Sequence, residues 1–132
     1  MKIKCIFNRP SELSEIERKL ISESIRMDVL RLTRGRMYTV YGIIIRTGLP
    51  WYLLCENDSD TPVPHYAGFF EIIDGTLPLN LKFQWRAGPW PEGAIIPPEW
   101  RAPGFFERLF DGETSELAIF NSVKKRIDLG QA

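Results

Sequence analysis

Groups able to do catalytic or metal chemistry are scarce in this chain. Its 132 residues include one histidine and two cysteines, whereas acid–base, nucleophilic and zinc chemistry all need several such groups held together. No second histidine and no CxxC spacing accompanies His65, so no zinc site is expected. Neither GxGxxG nor GxxxxGK[ST] occurs, which removes the common phosphate cradles and leaves no expected cofactor. Seventeen basic residues balance seventeen acidic ones, and the broad positive field of a nucleic-acid binder is missing. Two cysteines do not make a disulfide framework and read as reduced, buried thiols. No apolar run approaches the length of a membrane span, and the start MKIKCIFNRP lacks the apolar centre of a signal peptide. The expectation is a protein of a reducing compartment, the bacterial cytoplasm, with no membrane partner.

What remains is an ordinary globular composition, with 44% hydrophobic and 26% charged residues. That suffices for one core, so residues 1–132 are expected to form one domain. Met1, Ile3, Cys5 and Phe7 alternate with lysines and predict an opening strand that stops at Asn8–Pro10. Ser14 with Glu17 fits a capping box for a helix reaching about Ser24, with Leu13, Ile16 and Leu20 on its apolar side. Residues 25–32 fit neither period and read as a connector.

The sheet core is expected over 36–86. Met37–Ile45 is rich in β-branched and aromatic residues and predicts a hairpin with 49–55 across Thr47 and Gly48. Pro50 suits an edge or the start of a strand. Glu56–Pro64 reads as a polar loop. A second hairpin is expected between 69–73 and 79–85 across Asp74–Gly75, with Leu79, Leu81, Phe83 and Trp85 buried by their alternation with Asn80, Lys82, Gln84 and Arg86. Five prolines between 87 and 103 predict an irregular Pro/Trp-rich loop without a central strand. Helices are expected within 104–128: Phe105–Phe110, then one capped by Thr114 or Ser115 with Ile119, Phe120, Val123 and Ile127 on its apolar side. The class is therefore α+β: a four- to five-stranded antiparallel sheet or small SH3-like barrel, with an N-terminal helix and one or two C-terminal helices.

His65 lies in a loop and reads as a structural histidine; an enzyme would need it beside Cys55 or a carboxylate. The neighbours of Cys55 are apolar or acidic and disfavour a thiolate. The run Glu56, Asn57, Asp58, Ser59, Asp60 lacks the glycine and terminal glutamate of an EF-hand loop. It reads better as a solvated turn whose carboxylates meet a basic protein. Trp51, Tyr52, Trp85, Trp90 and Trp100 with Arg46, Arg86 and Arg101 offer a base-stacking platform as an alternative. Trp90 and Trp100, bracketed by prolines, read as exposed anchors for a partner.

The segments LTRGRMYTVYGIII, WYLLCEND and FFEIIDGTLPLNLKFQW, with Gly35, Tyr38, Tyr41, Gly42, Phe70, Glu71 and Asp74, resemble small bacterial proteins with an SH3-like or related antiparallel barrel. The resemblance spans residues 32–86. It implies a protein-binding role, some of these proteins being immunity proteins that neutralise a toxin. No catalytic residue follows from it. The expected function is an immunity-type module that occludes a toxin's active site with Glu56, Asp58, Asp60, Trp90 and Trp100. A nucleic-acid-binding small barrel is the alternative, and an enzyme using His65 comes third.

Overall fold

The computed structural model describes residues 1–22, 30–57, 59–78 and 80–130. Asp58, Leu79 and most of the expected connector lie outside the described residues. The described chain is α+β, with two antiparallel sheets and helices toward both ends. No helix among the described residues is long and apolar enough to cross a membrane.

Strand β1 (Lys2–Cys5) follows its alternation: Ile3 and Cys5 are buried while Lys2 and Lys4 face water. Helix α1 (Glu15–Ile21) starts where the capping pair expects it, the Ser14 hydroxyl accepting from the Glu17 amide at 3.2 Å. Its expected apolar stripe is corrected: Leu13 and Ile21 are buried, but Ile16 and Leu20 are exposed. Strands β2 (Met37–Thr39) and β3 (Gly42–Arg46) divide the single expected run between two sheets. β3 forms the expected hairpin with β4 (Leu49–Cys55), turning through Thr47 and Gly48, both at positive φ. Glu92 completes that turn by accepting from the amides of Thr47 and Gly48, at 2.6 and 2.9 Å.

The second expected hairpin does not form. Asp74 accepts from the Thr76 amide at 2.9 Å and Gly75 stays out of positive φ, so Asp–Gly makes no two-residue hairpin turn. Strand β6 (Phe70–Asp74) pairs instead with β1, giving a three-stranded sheet in the order β2-β1-β6. Strands β5 (Pro62–Tyr66), β7 (Lys82–Gln84) and β8 (Ala94–Ile96) complete a five-stranded sheet in the order β5-β4-β3-β8-β7. The polar loop thus ends before Pro62. Pro50 stands at the start of β4, but β4 is an interior strand. The two sheets do not close into a barrel.

The Pro/Trp-rich segment is also corrected. It contains β8, a central strand without proline, because the prolines stand on either side of it at 89, 91, 97 and 98. Trp90 and Trp100 are 4% and 1% exposed and are core residues rather than exposed anchors. Trp100 stacks on Phe120 with ring centres 4.9 Å apart, and Trp90 meets Phe106 edge-on at 4.5 Å. This aromatic cluster seats α2 (Phe105–Phe110) and α3 (Thr114–Asp128) against the chain leaving β8. Phe120 and Val123 of α3 are buried as expected, whereas Ile119 is exposed.

Phe83 and Trp85, expected in the core, are 54% and 64% exposed. Trp100→Ala should therefore cost about 3–5 kcal/mol, and Phe83→Ala about 1 kcal/mol. Urea unfolding of both variants checks the ordering, and equal losses would contradict it.

Candidate functional site

Two places gather the side chains that sequence patterning marks for function. The first is the end of β4. Beyond Cys55 the chain turns over Asn57, whose side chain is a hub: its oxygen accepts from Arg36 at 3.0 Å and Tyr38 at 2.6 Å, and its amide donates to Thr33 at 2.7 Å. The Tyr38 hydroxyl in turn accepts from the Thr33 amide at 2.8 Å. These bonds fix the acidic turn to the loop before β2. A recess of about 560 Å³ opens there, lined among others by Tyr41, Cys55, Glu56, Asp60 and Lys124.

One charge of the recess, Lys124, is matched by a neighbouring carboxylate. Asp128 accepts from the Tyr41 hydroxyl at 2.6 Å and from Lys124 at 3.0 Å, and the Lys124 ammonium lies 5.5 Å from the centre of the Tyr41 ring. Burial, reinforced by Asp128, raises the Tyr41 hydroxyl well above its ordinary range. Burial pushes the Cys55 thiol up to about 11; Lys124 opposes the rise, and Asp60 and Asp128 add to it. At neutral pH Cys55 is therefore a thiol and a poor nucleophile.

His65 stands on the other face of the same sheet. It is opposite Tyr52 in the β4–β5 register, and residues directly opposite share a face, while Cys55 is three positions along β4 and points the other way. The imidazole packs edge-on to Phe70 at 6.5 Å, and Cys55 lines the recess with Lys124. Sheet parity therefore separates the cysteine–histidine pair. His65 does approach a carboxylate: its Nε2 is 3.9 Å from Glu56, too far for a hydrogen bond. The ring is only 6% exposed, and burial lowers its pKa to about 4, so it is neutral near pH 7. Glu56 is half-buried and Asp60 exposed. Among the described residues no three His, Cys, Asp or Glu side chains are arranged to hold a metal ion.

The second place is β7 with the two residues after it. β7 is one of the two outermost strands of the five-stranded sheet. Phe83 and Trp85 lie with ring centres 6.4 Å apart and both are open to solvent. The Phe83 ring is seated on Gly93, where a Cβ would fall 2.6 Å from the ring and where φ is +106°. Arg101 donates to the carbonyls of Lys82 at 3.2 Å and Ile96 at 3.0 Å, tying the start of β7 to the end of β8. Arg86 adopts φ +55°, an uncommon left-handed conformation for a residue with a side chain. Lys82 and Arg86 make no ion pair among the described residues.

The five aromatic residues expected to form a stacking platform reduce to one, because Trp51, Tyr52, Trp90 and Trp100 are buried and only Trp85 is exposed. Of the basic residues named with it, Arg86 follows Trp85 and Arg101 holds the Lys82 carbonyl of β7, while Arg46 lies 5.1 Å from the buried Trp51 ring. Sequence patterning found the aromatic edge as alternation and assigned it to the wrong side. The alternation of Lys82, Phe83, Gln84, Trp85 and Arg86 carries no information about which face is covered.

His65 makes the fold sensitive to acid. Unfolded, it takes up a proton near pH 6.5; folded, only near pH 4. The unfolded chain thus binds the extra proton between those values. Stability is complete above pH 6.5 and falls as the pH drops toward 4, by about 3 kcal/mol from this residue. Between pH 7.5 and 4 the urea midpoint of the parent should fall further than that of His65→Phe, and parallel curves would refute the assignment. Searches against protein families, curated proteins and solved structures found no match to the chain.

Proposed function

We propose that the chain is a protein-binding module that docks its partner on the β7 edge, and that in its most specific form it is an immunity-type inhibitor of a toxin domain. The observation that carries this reading is the side-by-side exposure of Phe83, on an outermost strand, and Trp85, in the turn that follows it. Two large aromatic rings held in water cost solvation free energy unless a partner covers them. Such residues, ringed by polar groups, supply most of the energy of many interfaces. Exposed Lys82 and Arg86 stand on either side of the pair in the chain.

The reactive groups of the chain support binding over catalysis. Cys55 holds its proton, His65 is neutral and enclosed, and the two face opposite sides of the sheet. Asp60 stays exposed on the turn after β4 and has a steering role, in which a carboxylate speeds the encounter with a basic partner without contributing much to its retention. Trp90 and Trp100 have no direct part, since the core already covers them. Their work is to hold β8, and through it β7.

The test is binding to the product of an adjacent toxin-like gene. Trp85→Ala should weaken affinity by about 2 kcal/mol, roughly thirtyfold, mainly through faster dissociation. Glu56→Lys with Asp60→Lys should instead slow association severalfold at low salt. A parent protein that neither binds nor protects against the toxin refutes the immunity reading. Full affinity in Trp85→Ala refutes the surface.

A further inference from the structure

We infer that the Asp74–Gly75 peptide is a site of spontaneous covalent modification, where aspartate isomerises to isoaspartate, and that the fold confines this chemistry to one of the chain's two Asp–Gly pairs. This chemistry is independent of the protein-binding reading. The Gly75 nitrogen attacks the Asp74 Cγ and closes a five-membered succinimide, with the amide hydrogen, a proton from solvent and one carboxyl oxygen leaving as water. Water then opens the ring at either carbonyl. Opening at the former main-chain carbonyl leaves the chain running through Cβ and Cγ, with the α-carboxylate free. Only water and its protons are exchanged, so no cofactor is needed. Attacker and target are neighbours in one chain, and the rate is set by how freely they can meet.

At Asp74 they can meet. Asp74 is the last residue of β6, an outermost strand, and both it and Gly75 are exposed. The Gly75 amide has no hydrogen-bond partner among the described residues. The Thr76 amide donates to Asp74 Oδ1 at 2.9 Å, which folds the carboxyl group forward across the Asp74–Gly75 peptide. The ring of atoms closed by that bond contains both the Asp74 Cγ and the Gly75 nitrogen. Gly75 brings no side chain to crowd the approach, and the nearest atom to where a Cβ would stand is Ile72 Cγ2, at 3.5 Å.

Asp111–Gly112 has the same two residues on a different backbone. The successive amides of Asp111, Gly112 and Glu113 donate to the carbonyls of Glu107, Leu109 and Arg108, at 3.0, 3.0 and 3.1 Å. Gly112 is held at φ +79° as the turn that ends α2. Attack there must break the Gly112 bond and rotate a peptide pinned on both sides. Exposure does not separate the pairs, since all four residues are exposed. Bonding of the attacking amide does. Isomerisation at Asp74 also adds one carbon to the main chain where β6 pairs with β1, opposite Lys2, and disrupts that end of the register.

The whole protein is kept in neutral buffer at body temperature, sampled over weeks and digested. Isoaspartate is read as methyl transfer from labelled S-adenosylmethionine by an isoaspartyl methyltransferase, and is placed by electron-transfer fragmentation. In the folded protein it should accumulate at residue 74 at least about tenfold faster than at residue 111, a barrier difference of about 1.4 kcal/mol. In denaturant the two rates should converge, because both pairs are then unconstrained. Asp74→Glu, whose side chain cannot close a five-membered ring, should remove most of the methyl acceptance of the folded protein. In the isomerised fraction, separated by ion exchange, amide exchange at residues 2–4 should be faster than in the parent. Equal rates at 74 and 111 in the folded protein overturn the inference, as does a rate at 74 that rises roughly tenfold on unfolding. Unchanged exchange at residues 2–4 overturns the coupling to β6.

Discussion

The architecture depends on one chain crossing. The Val40 amide donates to the Met1 carbonyl at 3.1 Å and the next amide, of Tyr41, donates to Leu53 at 2.9 Å. One residue therefore extends the three-stranded sheet and its successor extends the five-stranded one. Each buried amide needs a partner, and the change of sheet leaves neither unpaired. The crossing succeeds because Gly42 follows at once: a Cβ there would lie 3.0 Å from both the Ile95 carbonyl and the Ile96 side chain. Without that close approach β8 would stand off from β3. β7, which pairs with β8, would be displaced with it.

Burial between the sheets then sets the chemistry of the titratable groups. Tyr52, His65 and Phe70 meet on the side facing the three-stranded sheet, with Tyr52 and Phe70 5.8 Å apart. An imidazole among these rings cannot be charged cheaply, and Glu56 stands too far away to compensate. On the opposite side, Tyr41 and Lys124 converge on Asp128 and join α3 to the crossing itself. Polar groups that resemble an active site in composition act here as struts. The same enclosure that holds the sheets together keeps the Cys55 thiol protonated and His65 neutral near pH 7.

Local signals were legible, and long-range pairing was not. The start of α1 follows from Ser14 and Glu17, the β3–β4 hairpin from β-branched runs around Thr47–Gly48, and α2 from its aromatic cluster, because each is decided within a few residues. The partner of β6 is decided by β1, some 65 residues earlier, and nothing in Phe70–Asp74 encodes that choice. Proline density misled because its effect depends on position: Ala94–Ile96 is free of proline and fits between β3 and β7. For Trp90, Trp100, Phe83 and Trp85 the sequence specified large apolar side chains but not their cover. Cover comes from α2 and α3 for the first two, while the second two sit where no further strand follows. Glu56 and Asp60 were legible as a turn; the contact of Glu56 with the region of His65 required β5 to be a strand.

The four sheet edges differ in how they are protected. β5 has proline at 62 and 64, two of its five positions, and so lacks two of the amides an added strand would use. β6 meets β1 through a register shift at Lys2/Ile3, and this irregularity twists the strand pair away from a flat template. β2 is three residues long and ends at the crossing, where its chain is already committed to the other sheet. β7 is equally short, yet it has neither proline nor register shift, and its flanking cations discourage only partners of their own sign. Protection by proline or distortion acts against every strand alike, whereas protection by charge discriminates.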